Sequence, residues 1–208
     1  MNAVTTLLTA CGATLVAAAA NATMITATMT VDNEYTVYIS TDPTTAGTAF
    51  GSNSSWPTLS THSTMLTDGV TNYLHVFGTD SGGPEMFIGQ FSLDDTDFAF
   101  ANGTQSLLTN TSDWTGNNSG FGASPAALAD LGPDGTSPWG FFGGIDDAAR
   151  FIWTEAASDC GTNGNDCAYF ATPIRWLGST DPGGSVPAPA TAALVVLGLG
   201  IAGVRRAR

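Results

Sequence analysis

The feature that most constrains this chain is a recurring two-residue period in its large apolar side chains, cut at short intervals by turn-forming pairs. Tyr35, Val37 and Ile39 alternate with polar or smaller residues. Leu74 and Val76 alternate with Tyr73, His75 and Phe77, and Phe87, Gly89, Phe91 and Leu93 fall on one side of a further run. Phe151 and Trp153 are expected to share a face, as are Ala168 and Phe170. Successive residues of a strand point to opposite faces, so this spacing predicts half-buried strands rather than helices. Asp68-Gly69, Ser81-Gly82-Gly83-Pro84, Asn102-Gly103 and Asp134-Gly135 supply bends between the runs. Pro125 to Leu131 is the one stretch that reads as a short helix, stopped by Gly132-Pro133. Many short strands at this spacing predict an all-β, antiparallel sandwich.

Composition agrees with that class and narrows function. The chain of 208 residues is rich in Gly, Thr, Ser and Asn and contains no lysine, whereas helices favour Ala, Leu, Glu and Lys. Eighteen acidic residues face five arginines, and the formal net charge is -13. Arg205, Arg206 and Arg208 sit at the extreme end, which leaves Arg150 and Arg175 as the only cations of the body. A surface of that sign repels phosphate backbones, so nucleic acid is excluded as a partner. Solubility in a salty medium is one consequence of the charge; capture of divalent cations is another.

Both ends read as addresses. Leu7 to Ala20 is a mostly apolar run, followed by Ala20-Asn21-Ala22 before Thr23, a small-residue site suited to signal-peptide cleavage. Leu8-Thr9-Ala10-Cys11 also fits a lipoprotein processing box. The apolar run continues past Cys11, however, which favours loss of that cysteine with the signal. At the other end Gly183-Gly184-Ser185 forms a flexible link. Val186-Pro187-Ala188-Pro189 follows, then the apolar Ala190 to Val204, then Arg205-Arg206-Ala207-Arg208. An apolar span of 15 residues is short for a permanent transmembrane helix, which needs about 20. The basic tail is expected to stay cytoplasmic. The expected organisation is a signal peptide over residues 1–22, a β-sandwich over 23–178, a linker over 179–187 and a sorting segment over 188–208.

This terminal order resembles the PEP-CTERM sorting signal of Gram-negative bacteria, with Ala188 where that family usually has Glu. The resemblance implies handling by an exosortase-type sorting enzyme, transient membrane insertion of the C-terminal helix, and release to the cell surface or matrix. It also implies association with exopolysaccharide or biofilm. A plain inner-membrane tail anchor is the other reading. Within the body, Val31-Asp32-Asn33-Glu34-Tyr35-Thr36-Val37-Tyr38 is similar to the strand that opens galactose-binding-like jelly rolls. Trp56, Leu66 to Val76, Ser81-Gly82-Gly83, Ala148 to Trp153 and Ala168-Tyr169-Phe170 follow in the family's order. The usual Asn-Gly turn is missing, and Thr41 to Ser55 reads as a longer, looser insertion. This likeness implies a jelly-roll fold and sugar binding, without fixing a site.

For chemistry, the two histidines offer little. His75 lies in an alternating strand, where a structural imidazole is the simpler role, and the chain has no nucleophile elbow, zinc-type His pair or phosphate loop. A non-catalytic protein is therefore expected. A two-carboxylate glycan-active enzyme, which needs its carboxylates set across a cleft, and a matrix protein without a defined ligand are the alternatives. Cys160 and Cys167 flank a turn-forming loop and are expected to form a structural disulfide in an exported chain. Calcium is the one cofactor the carboxylates suggest, with Asp32, Glu34, Asp94, Asp95 and Asp97 as candidate ligands and solvated turn carboxylates as the competing reading. Trp153 and Trp176 are expected in the core. Trp56, Trp114 and Trp139 lie in Gly/Ser/Asn/Pro-rich stretches and are the candidate stacking surfaces for extracellular polysaccharide.

Overall fold

A computed structural model describes residues 22–155 and 166–178 of the chain. Alternation becomes structure first in the chain's opening pair of strands. In β1 (Met24–Asp32) the inward set is Ile25, Ala27, Met29 and Val31, and in β2 (Glu34–Ser40) it is Tyr35 and Val37. The next strands are β3 (Thr48–Asn53), β4 (Ser60–Met65), β5 (Asn72–Asp80) and β6 (Met86–Leu93). Three short strands follow, β7 (Phe98–Phe100), β8 (Ser106–Leu108) and β9 (Thr115–Asn117). β10 (Leu128–Pro133), β11 (Arg150–Thr154) and β12 (Asp166–Trp176) complete the set.

The strands build two sheets. One runs β10-β11-β6-β1-β4, with β8 also paired to β6; the other runs β3-β2-β5-β12-β7, with β9 also paired to β12. All strand pairings are antiparallel. β12, the last strand, therefore lies inside the second sheet, between β5 on one side and β7 and β9 on the other. One cluster joins the facing sides of both sheets: Ile25, Met29, Phe87 and Phe91 from the first meet Val37, Leu74, Val76, Phe170 and Ile174 from the second. This is a sandwich-like, all-β arrangement, and the described residues contain no helix.

The far side of the first sheet is also covered. Met86 and Ile88 pack there with Phe142, Ile145, Ala149 and Phe151, under the segment that leads into β11. Burial on both faces explains why β6 reads Met-Phe-Ile-Gly rather than as strict alternation. Among the described residues, the far side of the second sheet has no comparable buried apolar cluster.

Three expectations need correction. The helix expected over Pro125 to Leu131 is absent. Ala126 bridges to Gly116, and Leu128 begins a strand whose register with β11 runs Leu128↔Thr154 to Pro133↔Arg150. A seven-residue run cannot repay helix nucleation on its own, and pairing with β11 satisfies its backbone instead. Phe151 and Trp153 do not share surroundings. Phe151 joins the outer cluster and Trp153 the main core beside Phe170, next to a register irregularity between Asp130 and Gly132 in the facing strand. Irregularities of this kind re-aim side chains. Finally, the stretch Thr41 to Ser55 is not all loose, for it contains edge strand β3. Among the expected bends, Asn102-Gly103 shows its cause. Gly103 adopts φ +80, and the Asn102 Oδ1 accepts from the Thr104 backbone N–H at 3.0 Å.

Candidate functional site

The outward positions of the second sheet form an ordered grid, because β2, β5, β12 and β9 are hydrogen-bonded side by side. Thr36, Phe77, Tyr169 and Asn117 lie in one row, and Tyr38, His75, Ala171 and Thr115 in the next. Large rings recur at these positions. The Phe77 and Tyr169 rings stand 4.7 Å apart. Phe121, from the loop between β9 and β10, meets Tyr169 edge-on at 5.0 Å. Phe121 also lies flat over His75 at 4.4 Å, with the planes only 11° apart. The loop is held down by Asn117, whose Oδ1 accepts from the backbone N–H groups of Ser119 and Gly120.

Under Phe121, His75 is fully buried; its Nδ1 faces the Ala46 carbonyl at 3.4 Å and its Nε2 has no partner. Burial pushes its pKa below the ordinary histidine value, against the opposing pull of the Ala46 and Thr45 carbonyls and the Asp42 charge. Burial thus favours the neutral form of this stacked imidazole.

Two hollows flank the Phe77–Tyr169 pair. One, of about 230 Å³, is lined by Tyr73, Thr115, Asn117, Phe121, Tyr169 and Pro173, among others. The other, of about 510 Å³, is lined by Glu34, Thr36, Ser52, Asn53, Phe77 and Thr79, among others. Glu34 is fixed there by the Thr79 hydroxyl, which donates to its Oε1 at 3.0 Å. Ring faces beside hydroxyl, carboxamide and carboxylate groups can hold a ligand that is itself half apolar and half hydroxylated.

A second concentration of chemistry lies where strands of both sheets end. Asp80 closes β5 and pairs in register with Asp166, which opens β12. Glu85 follows the Ser81–Pro84 bend and leads into β6. One carboxylate oxygen from each of Asp80, Glu85 and Asp166 lies within 4.8 Å of the others. Asp80 Oδ2 accepts from the Gly82 N–H at 2.9 Å, while its Oδ1 is buried with no hydrogen-bond partner. Burial raises the Asp80 pKa; hydrogen bonds from the Gly82 and Ser81 backbone oppose this, and the Asp32 and Asp166 charges add to it. Asp32, at the end of β1, accepts from Trp139 Nε1 at 3.1 Å and from Asn33 Nδ2 at 2.6 Å. Its pKa is also raised by burial, with the Trp139 hydrogen bond pulling the other way.

The candidate cation ligands therefore do not form one set. Asp32 adjoins the acidic end, and Glu34 belongs to the larger hollow. Asp94, Asp95 and Asp97 follow the opposite end of β6, where the Asp94 and Asp95 carboxylates work as turn anchors. Asp94 Oδ1 accepts from the Met24 N–H, Asp95 Oδ2 from the Thr23 hydroxyl and Asp95 Oδ1 from the Asp97 N–H. Asp80 was hidden in the sequence because only the β5–β12 register brings it to Asp166; Glu85 reaches them across the Ser81–Pro84 bend, whose Gly-Gly pair was the one local sign.

The candidate tryptophans are also not on the aromatic face. Trp114 is 3% exposed and packs in the main core against Phe87 and Phe91, because β9 and its approach turn inward there. Trp56 and Trp139 are partly buried against the outer cluster of the first sheet. Trp139 donates from Nε1 to the Pro84 carbonyl as well as to Asp32. Trp153 is in the core, as expected, whereas Trp176 is only partly buried and packs at its margin. Cys167 is buried and disulfide-bonded. Its expected partner Cys160 lies outside the described residues, as do the signal segment and the sorting residues Val186, Pro187, Ala188, Pro189, Arg205 and Arg206. Among the described residues, no helix is long and apolar enough to cross a membrane.

No protein-family model, curated protein or solved structure matches this chain.

Proposed function

We propose that this protein is a surface-displayed, non-catalytic carbohydrate-binding module with a galactose-binding-like jelly-roll body. Its ligand face is the outer side of the second sheet. The observation that carries this reading is the Phe77–Tyr169 ring pair, presented on adjacent strands between two hollows lined by hydroxyl, carboxamide and carboxylate groups. A pyranose has C–H faces that pack on aromatic rings and hydroxyls that exchange hydrogen bonds with groups such as Glu34 and Thr36. A matrix protein without a ligand has no need of rings gathered beside two polar-lined hollows. The addresses read at the two termini support this reading, in which the face is displayed outside the cell, an exosortase-type enzyme acts on the tail and exopolysaccharide is the ligand.

The test is a glycan array followed by calorimetric titration of the full-length chain. Binding is expected to at least one extracellular polysaccharide, and Phe77→Ala and Tyr169→Ala are each expected to weaken it about tenfold, equivalent to about 1.4 kcal/mol. Circular dichroism checks that each variant remains folded. Uniform silence across the array would remove the binding reading and leave the matrix one.

A further inference from the structure

We propose that Asp80, Glu85 and Asp166 form a binding site for a divalent cation of the calcium type, which fastens the two sheets together at one end of the sandwich. The proposal is independent of the aromatic face. Three carboxylates converge, offering only the hard oxygen donors that calcium prefers. Two oxygens on one ion can be separated by at most twice the metal–oxygen distance, about 4.6–5.2 Å for calcium. A cluster within 4.8 Å is inside that limit without rearrangement.

Convergence of acids alone would mean little. The deciding observation is Asp80 itself: the residue is 1% exposed, and its Oδ1 is buried without a hydrogen-bond partner. A buried carboxylate oxygen without a partner is costly, and neighbouring negative charge makes it more so. No side-chain cation relieves it among the described residues. Arg150 is engaged by Asp130 at 2.9 Å, and Arg175 lies at the opposite end of β12 from Asp166. A bound cation supplies the missing partner and offsets the repulsion in one step.

The site's place in the fold gives it a task. Asp80 and Asp166 terminate strands of the second sheet, and Glu85 immediately precedes β6 of the first. An ion held by all three ties the sheets together where the Ser81–Pro84 bend crosses between them. Water and backbone carbonyls complete the coordination shell.

The experiment is thermal unfolding of the full-length protein in EDTA, in millimolar calcium and in millimolar magnesium, with terbium luminescence as a direct probe of the site. Calcium is expected to raise Tm by several degrees, increasing with the logarithm of its concentration as linkage requires. Terbium emission should appear on excitation of tryptophan and be displaced by calcium. Asp80→Asn and Glu85→Gln should abolish both responses, while Asp94→Asn at the other end should keep them. In EDTA, Asp80→Asn should be at least as stable as the parent, since it removes an unpaired buried charge. Should Asp80→Asn fail to fold, Glu85→Gln and the terbium titration of the parent still decide the matter. The proposal is overturned if calcium leaves Tm unchanged and terbium stays dark. It is overturned equally if Glu85→Gln responds like the parent, or if magnesium matches calcium, which would indicate general screening of charge.

Discussion

Trp114→Ala separates a core role for this indole from a ligand-binding one. The Trp114 ring meets Phe87 and Phe91 at 5.1 Å each, the first edge-to-face at 88°, and its Nε1 donates to the Leu108 carbonyl at 3.3 Å. Truncating a buried Trp to Ala typically costs about 3–5 kcal/mol. The two ring pairs and the hydrogen bond put this case toward the upper half, at about 4 kcal/mol. Against a total stability of about 5–15 kcal/mol, that is a large share. For a domain of this size, each kcal/mol moves Tm by about 2–4 °C, so the expected drop is about 8–16 °C. Trp114→Phe keeps a ring, and the Leu108 carbonyl keeps its Asn110 Nδ2 donor at 3.1 Å, so the loss of one hydrogen bond should cost about 1 kcal/mol. Differential scanning calorimetry with urea titration at unchanged m-value measures both. If Trp114→Ala melts within about 2 °C of the parent yet loses glycan binding, the indole is at the surface and the core assignment is wrong.

Acidification should destabilise the fold through His75. Its folded pKa lies below the ordinary 6.5, so the unfolded chain takes up a proton first. Stability is therefore full above pH 6.5 and declines as pH falls below it, and urea titrations across that window should show His75→Gln with a shallower decline. His62, also shifted down by burial, contributes with the same sign and remains in that variant. Gly78→Ala should cost about 1–3 kcal/mol by chemical denaturation, because the added Cβ would stand 2.8 Å from Val31 Cγ1 and 3.3 Å from Trp153 Cη2. Non-reducing peptide mapping should find Cys167 joined to Cys160, and reduction should then cost about 2–3 kcal/mol; a Cys11–Cys167 link would contradict this.

How much of this was legible depended on distance along the chain. Alternation at Tyr35-Val37 and Leu74-Val76 is a local property of each strand, and so are bends such as Asn102-Gly103, where one amide side chain and one glycine suffice. Phe77 and Tyr169 were equally visible as outward members of their strands. Their meeting depends on the β5–β12 register, Phe77↔Tyr169, which no short-range signal encodes. The same register creates the Asp80–Asp166 contact. Trp114 misled for a related reason: its Asn/Ser/Gly-rich surroundings describe the turn that carries it, whereas its burial is decided by Phe87 and Phe91 on another strand. Leu128–Pro133 was misread because the partner that makes it a strand, β11, comes later in the chain.

The position of β12 has a consequence for how such a chain acquires its shape. Synthesis and threading through a pore both deliver the polypeptide from its amino end, yet the second sheet lacks an inner member until residues 166–176 emerge. Until then β5 has one open flank and β7 and β9 have nothing in that sheet to pair with. Assembly dominated by such remote pairings is slow compared with helical proteins. A nascent chain built this way lacks those pairings through most of its synthesis and completes its second sheet only near the end.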